Sequence, residues 1–399
     1  MTSALLNDAH ALTDELVSLR HTLHGCPEVG LHLPHTARII RAHIEACDLE
    51  IHEARSVSGF MAVLRGERNT NGKRPIVLLR ADMDGLPVTE DNDLDWRSTN
   101  GAMHACGHDL HMAGLVGAMR ILTARKAELA GDVVFMFQPG EEGHDGARHM
   151  IDEGLLEAAG RLPDHAYGLH VWSGRYPAAF IGTRPGPMMA SSDTIAVRVQ
   201  GRGGHGSAPH EALDPIPVIA RIITDIQVSV AREFNIFDPV VATCGQVHAG
   251  SAANVIPSEA YAEFTLRAFS PEARERLCTR VREIATGVAE TAGMKAVVEH
   301  TPLYPVTMND PGEVDFVRDQ VESLWPGRWR NQDEPMAAAE DFSKVLERIP
   351  GCFIGVSAVE EGEDAAKLAF NHSAHALFSD EVVPHCAALL AQCAYSRLT

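Results

Sequence analysis

The chain has 399 residues, 45% of them hydrophobic and 22% charged, and its 54 acidic against 34 basic side chains give a net charge of −20. That length allows roughly two or three domains, and the excess of acid argues against nucleic acid or an anionic membrane as a partner. No run of about 18 apolar residues exists to span a bilayer.

The N-terminal stretch to Gly25 reads as a polar amphipathic helix around Leu12, Leu16, Leu19 and Leu23. It lacks the apolar core of a signal peptide. The eight cysteines form no CxxC pairs, which reads as reduced thiols in a cytoplasmic protein.

From Pro75 a continuous apolar strand, Ile76-Val77-Leu78-Leu79, turns polar at Arg80-Ala81-Asp82-Met83-Asp84. His104-Ala105-Cys106-Gly107-His108-Asp109-Leu110-His111 follows. Three imidazoles, a thiol and a carboxylate in so short a stretch suit zinc, manganese, cobalt or nickel better than calcium or magnesium. A Cys and a His two apart cannot face one point from a regular helix. Cys106 and His108 therefore read as loop residues at the mouth of a buried helix, in which Gly114, Gly117 and Ala118 permit close packing.

A second strand over 132–137 breaks at Gln138-Pro139-Gly140-Glu141-Glu142, and a third over 165–169 ends at His170. Apolar strands separated by helices indicate an α/β fold whose central, mostly parallel sheet is flanked by helices. Ligands gather beyond the carboxyl ends of such strands. Asp82 with Asp84, Glu141 with Glu142, and His170 all sit at such ends, which points to a metal site.

Near Gly186 the texture changes to half-exposed, alternating strands and two long helices, in the order β-α-β-β-α-β. That order is the ferredoxin-like split unit. Residues 187–302 read as an inserted lid or dimerisation domain, with 1–186 and 303–399 forming the catalytic domain. The acidic pair Glu340-Asp341 reads as the start of a helix running to Arg348, not as ligands.

Taken in order, HGCPEVG (24–30), RADMDGLPV (80–88), HACGHDLHMA (104–113), FQPGEEG (137–143), GLHVW (168–172), GRGGHGSAPH (201–210), NVIPSEA (254–260), EDF (340–342) and NHSAHALFSDE (371–381) carry a resemblance. The chain resembles, end to end, the metal-dependent aminoacylase and hippurate hydrolase family, which includes plant auxin-conjugate hydrolases. It is more distantly similar to carboxypeptidase G and succinyl-diaminopimelate desuccinylase. The resemblance implies two divalent metal ions per subunit (Zn, Mn, Co or Ni), about 3.5–4 Å apart. Carried over, Cys106 bridges them, His108 and His170 serve one ion, and Glu142 and His372 the other. Ala374 stands where a proline is usual, which leaves His375 as an alternative to His372; spacing to Phe378 favours His372.

On the same resemblance Glu141 is the general base and Asp84 a carboxylate that orients a ligand. His205, between glycines, would donate to the developing oxyanion, from a partner's inserted domain as in relatives. Arg267 and Asn254 interrupt otherwise apolar stretches. Arg267 suits a substrate carboxylate, and Asn254 could orient the scissile carbonyl or the oxyanion. The expected activity is cleavage of small N-acyl-L-amino acids to a carboxylic acid and a free amino acid, in a homodimer or higher homo-oligomer. The alternatives are a metallo-carboxypeptidase or dipeptidase on the same scaffold, or a non-catalytic metal-binding homologue. No G-x-G-x-x-G fingerprint follows any strand, which argues against a nicotinamide enzyme.

Overall fold

The computed structural model describes residues 2–69, 72 and 74–399. These form two compact units, one comprising Met1–Met188, Met308–Glu334 and Asp341–Thr399, the other Met189–Thr307 and Pro335–Glu340.

The first unit is built on an eight-stranded sheet. Its four central strands, Asp132–Gln138, Ile76–Asp82, His165–Trp172 and Gly351–Ser357, run parallel. Glu50–Glu53 and Phe60–Arg65 extend one side antiparallel, and Phe60 stacks on Phe137 across the ladder at 4.8 Å. Every residue of Ile76–Asp82 and of Asp132–Gln138 is buried, as a parallel sheet covered on both faces requires. The apolar runs in the sequence are the imprint of that double cover.

The helix His108–Ala124 is buried almost all round, and it packs against the terminal helix Val382–Leu398. A Cβ on Gly117 would meet Ala387 and Leu16 at 2.6 Å, and one on Gly114 would meet Cys386 at 2.8 Å. Glycine at these two positions sets the distance between the helices.

Three elements differ in extent from the sequence reading. The N-terminal segment is two helices, Thr2–Ala11 and Thr13–His24. The third strand runs on to Trp172, so His170 lies inside the strand instead of beyond it. The helix expected over 340–348 shrinks to Ser343–Leu346, without a side-chain cap. Asp341 fails as a helix-start signal because its carboxylate is drawn inward to Arg80, Gln138 and the N–H of Ala147.

The second unit holds a four-stranded antiparallel sheet in the order Val240–Ala249, Glu259–Ala268, Ser192–Gln200, Lys295–Tyr304, with helices Pro215–Glu233 and Pro271–Thr291. That is the ferredoxin-like strand order. Alternate residues Ile195, Val197, Val199, Phe264 and Leu266 bury one sheet face with Ile219, Ile222, Ile226, Leu277 and Val281 of the helices. Both helices begin with proline after a capping side chain. Asp214 accepts from Ile216 N–H, and Ser270 from Ala273 N–H. Among the described residues no helix is long and apolar enough to cross a membrane.

Candidate metal centre

Cys106 and His108 flank Gly107, which takes a left-handed turn (φ 83°) just before the helix. A Cβ there would lie 2.3 Å from Cγ2 of Val171. Only glycine passes between the strand and the helix, and the turn delivers the thiol and the imidazole on either side of it. From the neighbouring strand His170 brings Nε2 to 3.4 Å from Cys106 Sγ. Cys106, His108 and His170 thus form one buried cluster of donor atoms, while Cys106, Glu142 and His372 form a second. Cys106 is common to both. His372 Nε2 lies 3.1 Å from Glu142 Oε1, and His372 holds a left-handed backbone (φ 72°), a strained conformation of the kind concentrated at functional sites. His375 is exposed and directs Nδ1 to the carbonyl of Asp91.

The two buried imidazoles are held in a definite sense. His108 Nδ1 donates to the carbonyl of Asp84 at 2.8 Å, and His170 Nδ1 to that of Val171 at 2.9 Å. Each leaves Nε2 toward the cluster, as a metal-ligating histidine requires. The Nε2 atom of His108 is buried without a hydrogen-bond partner among the described residues. Burial works to lower the pKa of His108, but Asp82, Asp84 and Glu142 outweigh it and raise it to about 10. Burial pushes the Cys106 thiol well up, helped by Glu142 and Glu141. A pocket this rich in anions, with an orphaned imidazole nitrogen, takes either a proton or a cation, and its S, N and O donors fit the borderline divalent ions.

Asp84 grips the glutamate turn. Its Oδ1 accepts from Glu141 N–H at 2.9 Å and its Oδ2 from Glu142 N–H at 3.0 Å. One carboxylate thus fixes the backbone of both glutamates. The carboxylate of Glu141 is buried close to both His108 and Glu142.

The second unit holds the remaining candidates. His205 pairs with Val255 in a two-residue ladder, and Gly206 N–H donates to the carbonyl of Asn254, which brings His205 and Asn254 side by side. His205 Nδ1 accepts from the N–H of Ser207 at 3.2 Å, so in the neutral ring Nε2 carries the proton. Arg267 is half-buried opposite Val241 on its strand. Its guanidinium makes no hydrogen bond or ion pair with any described residue, and burial lowers its pKa against the pull of Asp193.

Sequence reasoning passed over several residues. Asn371 donates to Cys106 Sγ (3.7 Å) and to the carbonyls of Cys106 and Val171. It sits next to His372, and that adjacency was the available signal. His111 is spent on structure, with Nδ1 on Asp82 at 2.6 Å and Nε2 accepting from Val171 N–H at 2.9 Å. Behind the cluster, Arg20 and His24 both bind Asp109, and His24 also reaches Glu90. This buried network anchors the residue that follows His108.

The thermostable carboxypeptidase 2 of Saccharolobus solfataricus is 33% identical over 368 residues, 91% of each chain. The N-acetylcysteine deacetylase of Bacillus subtilis is 34% identical over 355 residues, 88% of this chain and 90% of that one. Among solved structures, a Bacillus subtilis protein described as a dinuclear metal-binding peptidase of the M20 family superposes with a TM-score of 0.81, at 29% identity over 98% of this chain and 99% of that one. A profile of peptidase family M20/M25/M40 matches residues 78–396. With its donor clusters on the sheet edge and a match over most of its length, the chain belongs to peptidase family M20/M25/M40.

Proposed function

We propose that this protein is a binuclear metal-dependent amidohydrolase that cleaves N-acyl-L-amino acids to a carboxylic acid and a free amino acid. The observation that carries the reading is the sharing of Cys106 by two clusters, with the carboxylate of Glu141 close to His108 and Glu142. Cys106 would be common to both ions, His108 and His170 would hold one, and Glu142 and His372 the other. Bound there, the ions would supply an activated water and a polarised amide carbonyl.

The protein's own groups do the rest. Glu141 takes the proton of the attacking water and returns it to the leaving nitrogen, a base and then an acid. Asp84 holds the Glu141–Glu142 turn so that one carboxylate faces the water while the other ligates. His205, protonated on Nε2, has the tautomer needed to donate to the oxyanion, with Asn254 beside it. Arg267, half-buried and unpaired, has a free fork for the carboxylate of the amino-acid part. Relatives carry the names N-acetylcysteine deacetylase and carboxypeptidase, both of which fit such a substrate.

The test is turnover of N-benzoylglycine and N-acetyl amino acids beside dipeptides with free amines. Metal-depleted protein is given back Zn, Mn, Co or Ni in turn. The N-acyl substrates are expected to be faster by about tenfold or more. The reverse order would move the protein to a carboxypeptidase or dipeptidase, and metal binding without turnover of any amide would leave a non-catalytic homologue.

A further inference from the structure

Asp82, the last residue of its strand, stands where a carboxylate ligand beside His108 would. Its Oδ2 lies 3.5 Å from His108 Nε2. Two donors about 2.1 Å from one tetrahedral ion sit about 3.4 Å apart, so the spacing is that of two ligands, close to the 3.4 Å between Cys106 and His170. Yet each oxygen already accepts one hydrogen bond. His111 holds Oδ1 at 2.6 Å, and Arg80 Nη1 holds Oδ2 at 2.7 Å. Arg80 is itself fixed. Its Nε donates to Gln138 Oε1 at 2.9 Å, its Nη2 to Asp341 Oδ1 at 3.1 Å, and Gln138 in turn donates to both oxygens of Asp341. All four residues are buried. A guanidinium keeps its charge under all ordinary conditions and spans two carboxylates in a rigid fork, so it holds Asp82 in place and offsets its charge.

We propose that Arg80 is a positioning residue that withholds Asp82 from the metal, and so limits the ligands around His108 to the neutral and thiolate donors. The inference rests on the metal-centre reading above. Its physical consequence is a less anionic site, with weaker hold on the ion and a more electrophilic one, because ligand charge count tunes divalent-ion affinity. Asp82 keeps a separate task, steering His111 and, through it, the backbone of Val171 next to His170.

The experiment follows cobalt(II) added to the metal-free full-length protein, by its visible d–d bands and by competition with a chelating dye. Wild-type protein serves as the control for the underlying reading. If it shows no thiolate-to-cobalt absorption in the near ultraviolet, the metal centre itself is wrong, whatever the variants do. Given that band, Asp82→Asn is expected to keep the wild-type spectrum, since the amide can still accept from His111. Arg80→Met is expected to weaken the d–d bands, as a higher coordination number does, and to tighten cobalt binding by about tenfold. Adding Asp82→Asn to Arg80→Met should cancel both changes. A changed cobalt spectrum in Asp82→Asn alone would make Asp82 a ligand and overturn the proposal. So would a folded Arg80→Met protein with unaltered spectrum and affinity. Should Arg80→Met not fold, Arg80→Lys, which keeps the charge but cannot span both carboxylates, replaces it with the same expected direction.

Discussion

Cys106 Sγ and His170 Nε2 face each other at 3.4 Å inside the protein, one from a glycine turn and the other from the adjacent strand. If Cys106 is shared by both ions, Cys106→Ala should lose most bound metal and nearly all activity. Cys26→Ala, whose thiol only reaches the carbonyl of Thr22, should change little. Metal content by atomic emission decides, and retention of two ions per chain in the Cys106 variant would sink the assignment.

Asp84 ties the backbones of Glu141 and Glu142 equally, so the difference between the two glutamates must lie in their carboxylates. Glu141→Gln should keep metal and substrate affinity while kcat falls by about two to four orders of magnitude. Glu142→Gln should weaken metal binding instead. Variants that match in both metal content and rate would remove the division of roles.

Arg267 should matter only for substrates with a free carboxylate. Losing a charge-assisted contact costs about 1.5–3 kcal/mol, so Arg267→Met should lower kcat/KM by roughly ten- to hundredfold. The loss should shrink when that carboxylate is an amide or ester. An equal loss on both would indicate damage to the fold of the second unit.

His24 couples stability to pH. Burial, the largest single influence, works to lower its pKa, but Asp109 and Glu90 together raise it to about 9 from 6.5. A pKa raised on folding gives stability that is complete below the unfolded value and is lost as pH rises through the folded one. The protein should therefore lose up to about 3 kcal/mol between pH 6.5 and 9 through this group, taking about 1.4 kcal/mol per unit. Urea unfolding of wild type and His24→Gln across that window measures it. The difference in stability between them should narrow as pH rises, and a constant difference would assign the network another origin.

His205 tests how active sites are composed. The proposal to be tested is that this histidine serves the site of a partner subunit. Mixing Glu141→Gln with His205→Ala chains, under conditions that allow exchange, should then restore up to about a quarter of wild-type activity from random pairing in a dimer. Action within one chain predicts no recovery.

Much of the fold was legible because its determinants are local. The apolar runs at 76–79 and 132–137 are what doubly covered strands need, and the alternation at 194–200 and 259–269 is what a half-covered sheet needs. Helix starts were marked by Pro215 and Pro271 behind their caps. His170 was misplaced by a few residues because its strand continues through polar and aromatic side chains that the sheet core happens to bury. Asp341 was misread because an acidic residue before a short helix has the same local pattern whether it caps that helix or faces a buried arginine.

By itself the sequence determined which chemistry was available: a thiol, imidazoles and paired carboxylates punctuating strands at one sheet edge. Residue type and short-range periodicity carry that much. Only the tertiary structure decided which of two neighbouring aspartates does what. Asp82 and Asp84 stand at the same strand end with the same functional group. One is held by Arg80, which Asp341 anchors from 261 positions away, and the other by the N–H groups of Glu141 and Glu142. Partners brought together across such separations depend on how layers pack, and a carboxylate's role is set by which donors reach it first.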